Sequence, residues 1–115
     1  RNGLLTVLLV TLSLASTSDA WTISRVATPE ISWYPTWRGA AIVNISCDTP
    51  GATIKYTWAN GTDVSDASNP TYFSNTYRYS LYVTRDVVIK AKAYKPGWLA
   101  SYISWLSLDF WPYAN

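Results

Sequence analysis

Histidine and methionine are absent from this 115-residue sequence, and cysteine occurs once, at Cys47. Without histidine the chain cannot form a Ser-His-Asp triad or a His-ligated metal site, and Cys47 lacks an imidazole base to activate it. A single cysteine also excludes an intrachain disulfide. Asp63 and Asp66 lie three residues apart, a pattern more typical of turns than of catalytic carboxylates. We therefore predict no catalytic residues, no metal site, no cofactor and no enzyme activity.

Charged residues are scarce, at 14% of the sequence, against about 25% in ordinary soluble domains. Nine basic and seven acidic residues give a net charge of +2. This charge is too small and too dispersed to predict a nucleic-acid partner. A surface with so few charges must be covered by Ser, Thr, Asn and Tyr, or be hidden in an assembly.

Long hydrophobic runs are also missing, since no segment reaches the ~18–20 apolar residues that span a bilayer as a helix. The longest candidate, LLTVLLVTLSLAS at residues 4–16, allows two interpretations. It resembles a secretory leader, with Arg1 before an apolar stretch and small residues before Trp21. Alternatively, its alternation from Val10 onward predicts a half-buried strand. We favour the strand, which divides the chain into an N-terminal segment, residues 1–20, and a β domain, residues 21–115.

From residue 21 onward the hydrophobic pattern has a period of two, which predicts β-strands rather than helices. Strands are predicted at residues 41–47, 52–58, 77–83, 86–94 and 98–110, with Gly, Pro and Asn between them. The polar link 84–86 predicts a hairpin, and in the strand that follows it Lys90 and Lys92 are predicted to face outward. Pro29 and Pro35 restrict any strand near them to a short or edge piece. The pattern predicts an all-β, antiparallel sandwich.

Several motifs occur in the order and spacing of a known module. They are TPEIS at residues 28–32, PGATIKYT at 50–57, NGTD at 60–63, VIKAKAY at 88–94, and Gly97 followed by Ser101. In these motifs the sequence resembles the β-sandwich module at the C-terminal end of chitobiases and β-hexosaminidases. The resemblance implies an immunoglobulin-like sandwich of about seven strands that is not itself catalytic. Val64 stands where the module usually has proline, and residues 1–20 and most of 98–110 lie outside its pattern.

The segments outside that pattern indicate assembly. A seven-stranded sandwich leaves edge strands that can pair with another chain. The N-terminal strand resembles the donated strands of pilins, and residues 98–110 are the predicted acceptor edge. We therefore predict a pilus-like subunit of an extracellular filament, which polymerises head to tail with copies of itself. The side chains predicted to insert are those of Leu4, Leu5, Val7, Leu8, Leu9, Val10, Leu12 and Leu14.

Aromatic residues are abundant, with seven Trp and nine Tyr. Trp33, Trp37 and Trp98 lie close to Pro or Gly, which predicts exposed loop positions that contact either a surface polysaccharide or another subunit. Trp58 and Trp105 lie within predicted strands, and we predict them in the core. The alternative function is therefore a secreted carbohydrate-binding or adhesive module, and a third is a spacer within a larger surface protein.

Two N-glycosylation sequons, beginning at Asn44 and Asn60, are consistent with an exported protein. Asn60 is followed by Gly61, a pair that marks an exposed turn, whereas Asn44 lies on the polar side of a predicted strand. We predict N-linked glycans at these sites, with Asn60 the better acceptor. The predicted location is accordingly extracellular or at the cell surface.

Overall fold

The computed structural model describes residues 22–110, which form two antiparallel sheets. The strands are β1 (Glu30–Pro35), β2 (Ala41–Ser46), β3 (Thr53–Asn60), β4 (Asn75–Thr76), β5 (Leu81–Val83), β6 (Val87–Tyr94) and β7 (Ser104–Leu108). One sheet has the order β1-β2-β5 and the other β4-β3-β6-β7. The predicted all-β, immunoglobulin-like sandwich of about seven strands is therefore confirmed. The predicted N-terminal segment, residues 1–20, lies outside the described residues under both of its interpretations.

The core lies between the inner faces of the two sheets. In β2 the alternate residues Ala41, Val43 and Ile45 are buried. Ile89 and Ala91 of β6 pack into the same cluster from the other sheet. Branched and small apolar side chains fit a half-buried pleated surface, so the period-two pattern located the inner face of both strands correctly.

The link 84–86 does not form the predicted hairpin. β5, which precedes it, pairs with β2, whereas β6, which follows it, pairs with β3 and β7. Val83 and Val87 are both buried, but they lie in different sheets. The chain therefore crosses between sheets at this link. The prediction was wrong because alternation shows which face of a strand is buried and does not show which strand is its neighbour.

Two predicted strands are shorter than expected. Residues 77–83 were predicted as one strand, but pairing is confined to β4 just before them and β5 at their end, and Tyr79 between these is exposed. Of residues 98–110, only Ser104–Leu108 is paired with β6. The chain turns before β7, where the backbone N–H of Trp98 donates to the Lys95 carbonyl (3.0 Å). The side chains of these segments alternate between apolar and polar, but among the described residues their backbones have no neighbouring strand with which to pair outside β4, β5 and β7.

The outer face of the four-stranded sheet is partly covered by the loop 61–74, which connects β3 to β4. Lys90 lies on this face, as predicted, but only 8% of its surface is exposed. Its Nζ donates to Asn69 Oδ1 in the loop (3.2 Å). Val88 on the same face and Ala67 in the loop are also buried. The strand pattern predicted the face correctly, but the packing of a distant loop decides whether that face meets solvent.

Candidate functional site

A cleft at the end of the β1–β2 hairpin brings together two of the three tryptophans proposed as ligand contacts. Trp33 lies on β1, and Trp37 lies in the turn that follows it. Both indoles are exposed, Trp37 to 85%. The cavity beside them measures about 230 Å³, and the buried ring of Phe110 contributes to its lining. The cleft therefore offers flat aromatic surface that is already accessible to a ligand.

Hydrogen bonds within the turn fix the position of Trp37. The backbone N–H of Thr36 donates to the Ala40 carbonyl (2.8 Å), and the Thr36 hydroxyl donates to the same oxygen (3.3 Å). Gly39 adopts a φ of +75°, which is readily available only to glycine. The Arg38 guanidinium lies 4.3 Å from the centre of the Trp37 ring. The turn that carries the indole is thus fixed before any ligand binds, which lowers the entropic cost of binding.

Trp98 lies apart from this cleft. It follows β6 in a turn, where Lys95 Nζ lies 4.7 Å from its ring centre and donates to the Pro50 carbonyl (2.8 Å). This contact joins the β6–β7 turn to the β2–β3 turn, at the end of the sandwich opposite the β1–β2 hairpin. Trp98 is exposed, but it cannot contact the same sugar ring as Trp33 and Trp37.

Trp58 and Trp105 are not core residues, so that prediction was wrong. Trp58 shares the inner face of β3 but is 49% exposed, because β4 pairs with β3 only at Lys55 and Tyr56. Beyond that point the sandwich is open, and Trp58 lines a cavity of about 160 Å³ there. Trp105 is 55% exposed and is paired with Lys90, on the outer face of its sheet. The pattern around Trp105 assigned its strand correctly but its face incorrectly.

A second aromatic cluster, which the sequence analysis did not find, lies on the outer face of the β3–β6 pair. Tyr72 packs edge-to-face on Tyr94 with ring centres 5.5 Å apart, and Phe73 packs on Tyr72 at 5.8 Å. Lys55 Nζ lies 5.2 Å from the centre of the Tyr72 ring. Burial raises the pKa of the Tyr94 phenol. The sequence signal that could have indicated this cluster was the adjacent pair Tyr72 and Phe73, in a stretch without hydrophobic periodicity.

Asp63 and Asp66 cap a short 3-10 turn, Val64–Asp66, rather than forming a reactive pair. Asp63 Oδ1 accepts from the backbone N–H of Ser65 (3.0 Å), and Asp66 Oδ2 accepts from the backbone N–H of Asp63 (3.1 Å). These bonds form a capping box, and the bonds from Ser65 lower the pKa of Asp63. Residues 22–110 contain no group of three or more metal-ligating side chains and no helix that could cross a membrane.

The sequence model of one domain family matches residues 35–104, from the last residue of β1 to the first residue of β7. That family is the chitobiase/beta-hexosaminidase C-terminal domain. The chain belongs to this family. The resemblance seen in the motifs is therefore confirmed, and with it the classification as a non-catalytic type of C-terminal module. No curated protein and no solved structure matches the chain.

The two sequons of this chitobiase/beta-hexosaminidase C-terminal domain lie in different surroundings. Asn44 is in β2 and is half-buried; its Oδ1 accepts hydrogen bonds from the hydroxyls of Ser80 and, at 3.4 Å, Tyr77. Asn60 is exposed at the end of β3 and precedes Gly61, whose φ is +131°. Glycan transfer requires a free and accessible amide, and only Asn60 combines exposure with a following turn.

β7 is an edge strand of the C-terminal domain, and only its first residue lies within the family match. It pairs with β6, and none of the strands described for residues 22–110 pairs with its other side. Nearby, the backbone N–H of Val26 donates to the Leu99 carbonyl and that of Leu99 to the Ser24 carbonyl, both at 2.9 Å. The predicted acceptor edge at residues 98–110 thus includes an open strand edge, and its role as an acceptor stays a prediction.

Proposed function

We propose that this chain is a secreted, non-catalytic module that binds carbohydrate through Trp33 and Trp37. The observation that carries the proposal is the cleft of about 230 Å³ beside these two exposed indoles. Sugar rings present apolar C–H faces that pack on the faces of aromatic side chains. The side chains lining the cavity carry no charge, and the nearby Arg38 guanidinium packs on the Trp37 ring. This lining suits a neutral polysaccharide such as chitin or cellulose.

The size of the cleft suggests how a polymer would bind. Pockets that enclose drug-sized ligands measure ~300–1,000 Å³, whereas this cleft is smaller and open. It therefore contacts one or two sugar rings of a longer chain rather than enclosing an oligosaccharide. Binding of this kind is sensitive to the loss of a single indole, because few contacts carry the affinity.

Retention of the full chain on insoluble chitin and cellulose tests this function. We expect Trp37→Ala to weaken binding about tenfold or more, since it removes the more exposed indole of the cleft. Trp105→Ala, which removes an exposed indole from another face, should leave binding unchanged. Thermal melting of both variants confirms that the fold is intact. Full retention of Trp37→Ala, equal losses in both variants, or no retention of the parent chain would contradict the proposal.

A second function, a subunit of an extracellular filament, is favoured by the open edge of β7. In this proposal residues 4–16 of one copy add as a strand to the sheet of another copy. Within one chain, the bond from Val26 to Leu99 places residues 24–26 beside the segment just before β7, next to the edge at which a strand from another copy would pair. Transfer of the strand from copy to copy is a heterologous contact, which extends into a filament unless it closes into a ring.

The apolar side chains of residues 4–16 would supply the stability of such a joint. Burying about six of them at ~1.5–3 kcal/mol each gives roughly 9–18 kcal/mol before the entropic cost of association. Negative-stain electron microscopy of the full chain and of a version lacking residues 4–16 tests this function. Filaments formed only by the full chain support it, and monodisperse particles from both versions exclude it.

A further inference from the structure

The four lysines of the sequence are all placed on β3, on β6 or in the turn after β6. They are Lys55, Lys90, Lys92 and Lys95. Lys55 and Lys92 are direct cross-strand partners, and Lys90 is paired with Thr57 on the same face. That face is the outer one, since the alternate residues Tyr56 and Ala91 pack in the core. The fold thus places Lys55, Lys90 and Lys92 together on one face. The net charge of +2 gave no reason to expect such a positive patch.

The pairing of Lys55 with Lys92 is electrostatically unfavourable within the protein alone. Like charges directly opposite each other in an antiparallel pair are destabilising. Lys90, two residues before Lys92 and almost fully buried, adds a third positive charge that solvent screens poorly. The group that accepts its hydrogen bond, the Asn69 amide oxygen, is neutral. An anion placed between Lys55 and Lys92 would convert this repulsion into attraction.

Aromatic rings border the lysines and provide a surface for a sugar. Tyr72 and Phe73 are exposed, Phe73 to 92%, and Tyr94 lies against Tyr72. Lys55 Nζ lies over the Tyr72 ring, and Lys92 Nζ lies 5.6 Å from the centre of the Tyr94 ring. Each ammonium group is therefore within reach of a ligand that lies on these rings.

The aromatic pair is held in place by its own turn. The backbone N–H of Thr71 donates to Ser74 Oγ (2.9 Å), and that of Phe73 donates to Thr71 Oγ1 (3.2 Å). The backbone N–H of Ser74 closes the turn on the Thr71 carbonyl (3.0 Å). Three bonds in four residues hold the backbone that carries these two aromatic side chains, and Phe73 is left almost fully exposed. Such preorganisation is what a binding surface requires.

A cavity of about 300 Å³ lies between the two tyrosine rings and Lys95, next to the face that carries Lys55 and Lys92. Its lining contains Thr53, Tyr72, Tyr94, Lys95 and Pro96 and includes no carboxylate. It combines one cation, two phenol rings and a threonine hydroxyl, which matches a ligand with an apolar ring face, hydroxyl groups and negative charge. Neutral sugars satisfy the first two properties and leave the lysines without an anion.

We propose that this face, formed by Tyr72, Phe73, Tyr94, Lys55 and Lys92, binds an anionic polysaccharide. A sugar ring packs on the tyrosines while its carboxylate or sulfate group forms charge-assisted hydrogen bonds with Lys55 and Lys92. The site is separate from the Trp33–Trp37 cleft and does not depend on it. A nucleic acid is the weaker alternative, because its charge recurs at every phosphate while the chain as a whole carries only +2.

The test measures binding of the full chain to alginate, to dextran sulfate and to neutral dextran. Affinity electrophoresis at low and at physiological salt detects the binding. We expect binding to at least one anionic polymer, none to dextran, and weaker binding at higher salt. The polyuronate and sulfated arms distinguish carboxylate from sulfate recognition. Equal binding to dextran, or equally tight binding to a single-stranded oligonucleotide, would overturn the proposal.

Matched variants locate the site. Lys55→Gln/Lys92→Gln should weaken binding about tenfold or more, and Phe73→Ala several-fold. Arg85→Gln, which removes an exposed cation from the β5–β6 link, should bind like the parent chain, and so should Trp37→Ala. The double lysine variant removes a like-charge pair, and a glutamine amide at position 55 can still donate to Thr76 Oγ1, as Lys55 Nζ does (2.7 Å). Its melting temperature should therefore stay close to that of the parent chain. Equal losses in Arg85→Gln and the lysine variant would show a non-specific charge effect and refute the assigned site.

Discussion

Ser101 and Ala93 exchange two hydrogen bonds where β6 ends. The backbone N–H of Ser101 donates to the Ala93 carbonyl (2.9 Å), and the backbone N–H of Ala93 donates to Ser101 Oγ (2.7 Å). The Ser101 hydroxyl in turn donates to the Tyr102 carbonyl (2.8 Å). Ser101, one of the motif residues, is buried, so its side chain completes the ladder of β6 where the next strand has not yet begun.

Ser101→Ala should therefore destabilise the domain by about 1–3 kcal/mol, because it leaves the buried N–H of Ala93 without its acceptor. Denaturant unfolding of the variant and the parent chain measures this difference. Ser32→Ala, at an exposed position of β1, is the control and should change the free energy of unfolding by less than about 0.5 kcal/mol. An effect of Ser101→Ala no larger than the control would show that the side-chain bond is dispensable.

Asn69 should contribute to the stability of the fold, because its side chain supplies the hydrogen-bond acceptor for the buried Lys90 ammonium. Asn69→Ala should cost about 1–3 kcal/mol in the free energy of unfolding. Lys90→Leu should largely remove that dependence, because an apolar side chain needs no acceptor. A double-mutant cycle by denaturant unfolding measures the coupling between them. Additive effects of the two substitutions would mean that the bond contributes little.

The capping carboxylate of Asp63 should contribute stability that disappears in acid. Hydrogen bonds from Ser65 lower its pKa in the folded state, so the ionised form is favoured by folding. This contribution is present above the pKa of the unfolded chain and is lost as the pH falls through the lower folded-state value. The melting temperature of Asp63→Asn should thus lie below that of the parent chain near neutral pH and approach it toward pH ~2.

Asp48→Asn controls for the loss of one exposed carboxylate from a turn. As a substitution at an exposed position, it should leave the melting temperature close to that of the parent chain. A difference between Asp63→Asn and the parent chain that stays constant from neutral to acidic pH would contradict the assignment of the capping bonds to the ionised carboxylate.

Asn60, and not Asn44, should carry a glycan when the chain is exported from a eukaryotic host. Transfer from a lipid-linked oligosaccharide joins the Asn60 amide nitrogen to the first sugar, with loss of an amide proton and departure of the lipid pyrophosphate. Asn60→Gln should abolish the added mass in intact mass spectrometry, and Asn44→Gln should leave it unchanged. Occupancy at Asn44 instead would contradict the structure, in which this side chain is half-buried in β2 and is held by hydrogen bonds from Ser80 and Tyr77.

Trp58 should stabilise that glycan, because it lies two residues before Asn60 on the same strand face and lines the same cavity. The first sugar ring can then pack on the half-exposed indole. Enzymatic removal of the glycan should lower the melting temperature of the parent chain more than that of Trp58→Ala. Equal shifts in both proteins would show that the sugar does not use the indole.

Local pattern predicted those features of the fold that depend on one strand at a time. The alternation of Ala41, Val43 and Ile45 predicted the inner face of β2, and Pro29 and Pro35 predicted the short edge strand β1. Each depends on backbone geometry that is the same wherever the strand lies in the molecule.

The candidate sites were less predictable, because they depend on which segments meet. Trp33 and Trp37 are four residues apart and come together through a local turn, whereas Trp98 lies at the other end of the sandwich. Tyr72 and Tyr94 are 22 positions apart in sequence, and only the loop 61–74, folded across the outer face, brings them into contact.

The sequence by itself determined the class of fold, the family and the inner faces of β2, β3 and β6, because hydrophobic alternation and turn residues act within a few positions of each other. The tertiary structure alone decided which neighbours each strand has, that Lys90 is buried and Trp58 is not, and that Lys55 faces Lys92. These features depend on long-range packing between segments far apart in the chain, and the accessibility of a side chain is a property of that packing rather than of its own position in a strand.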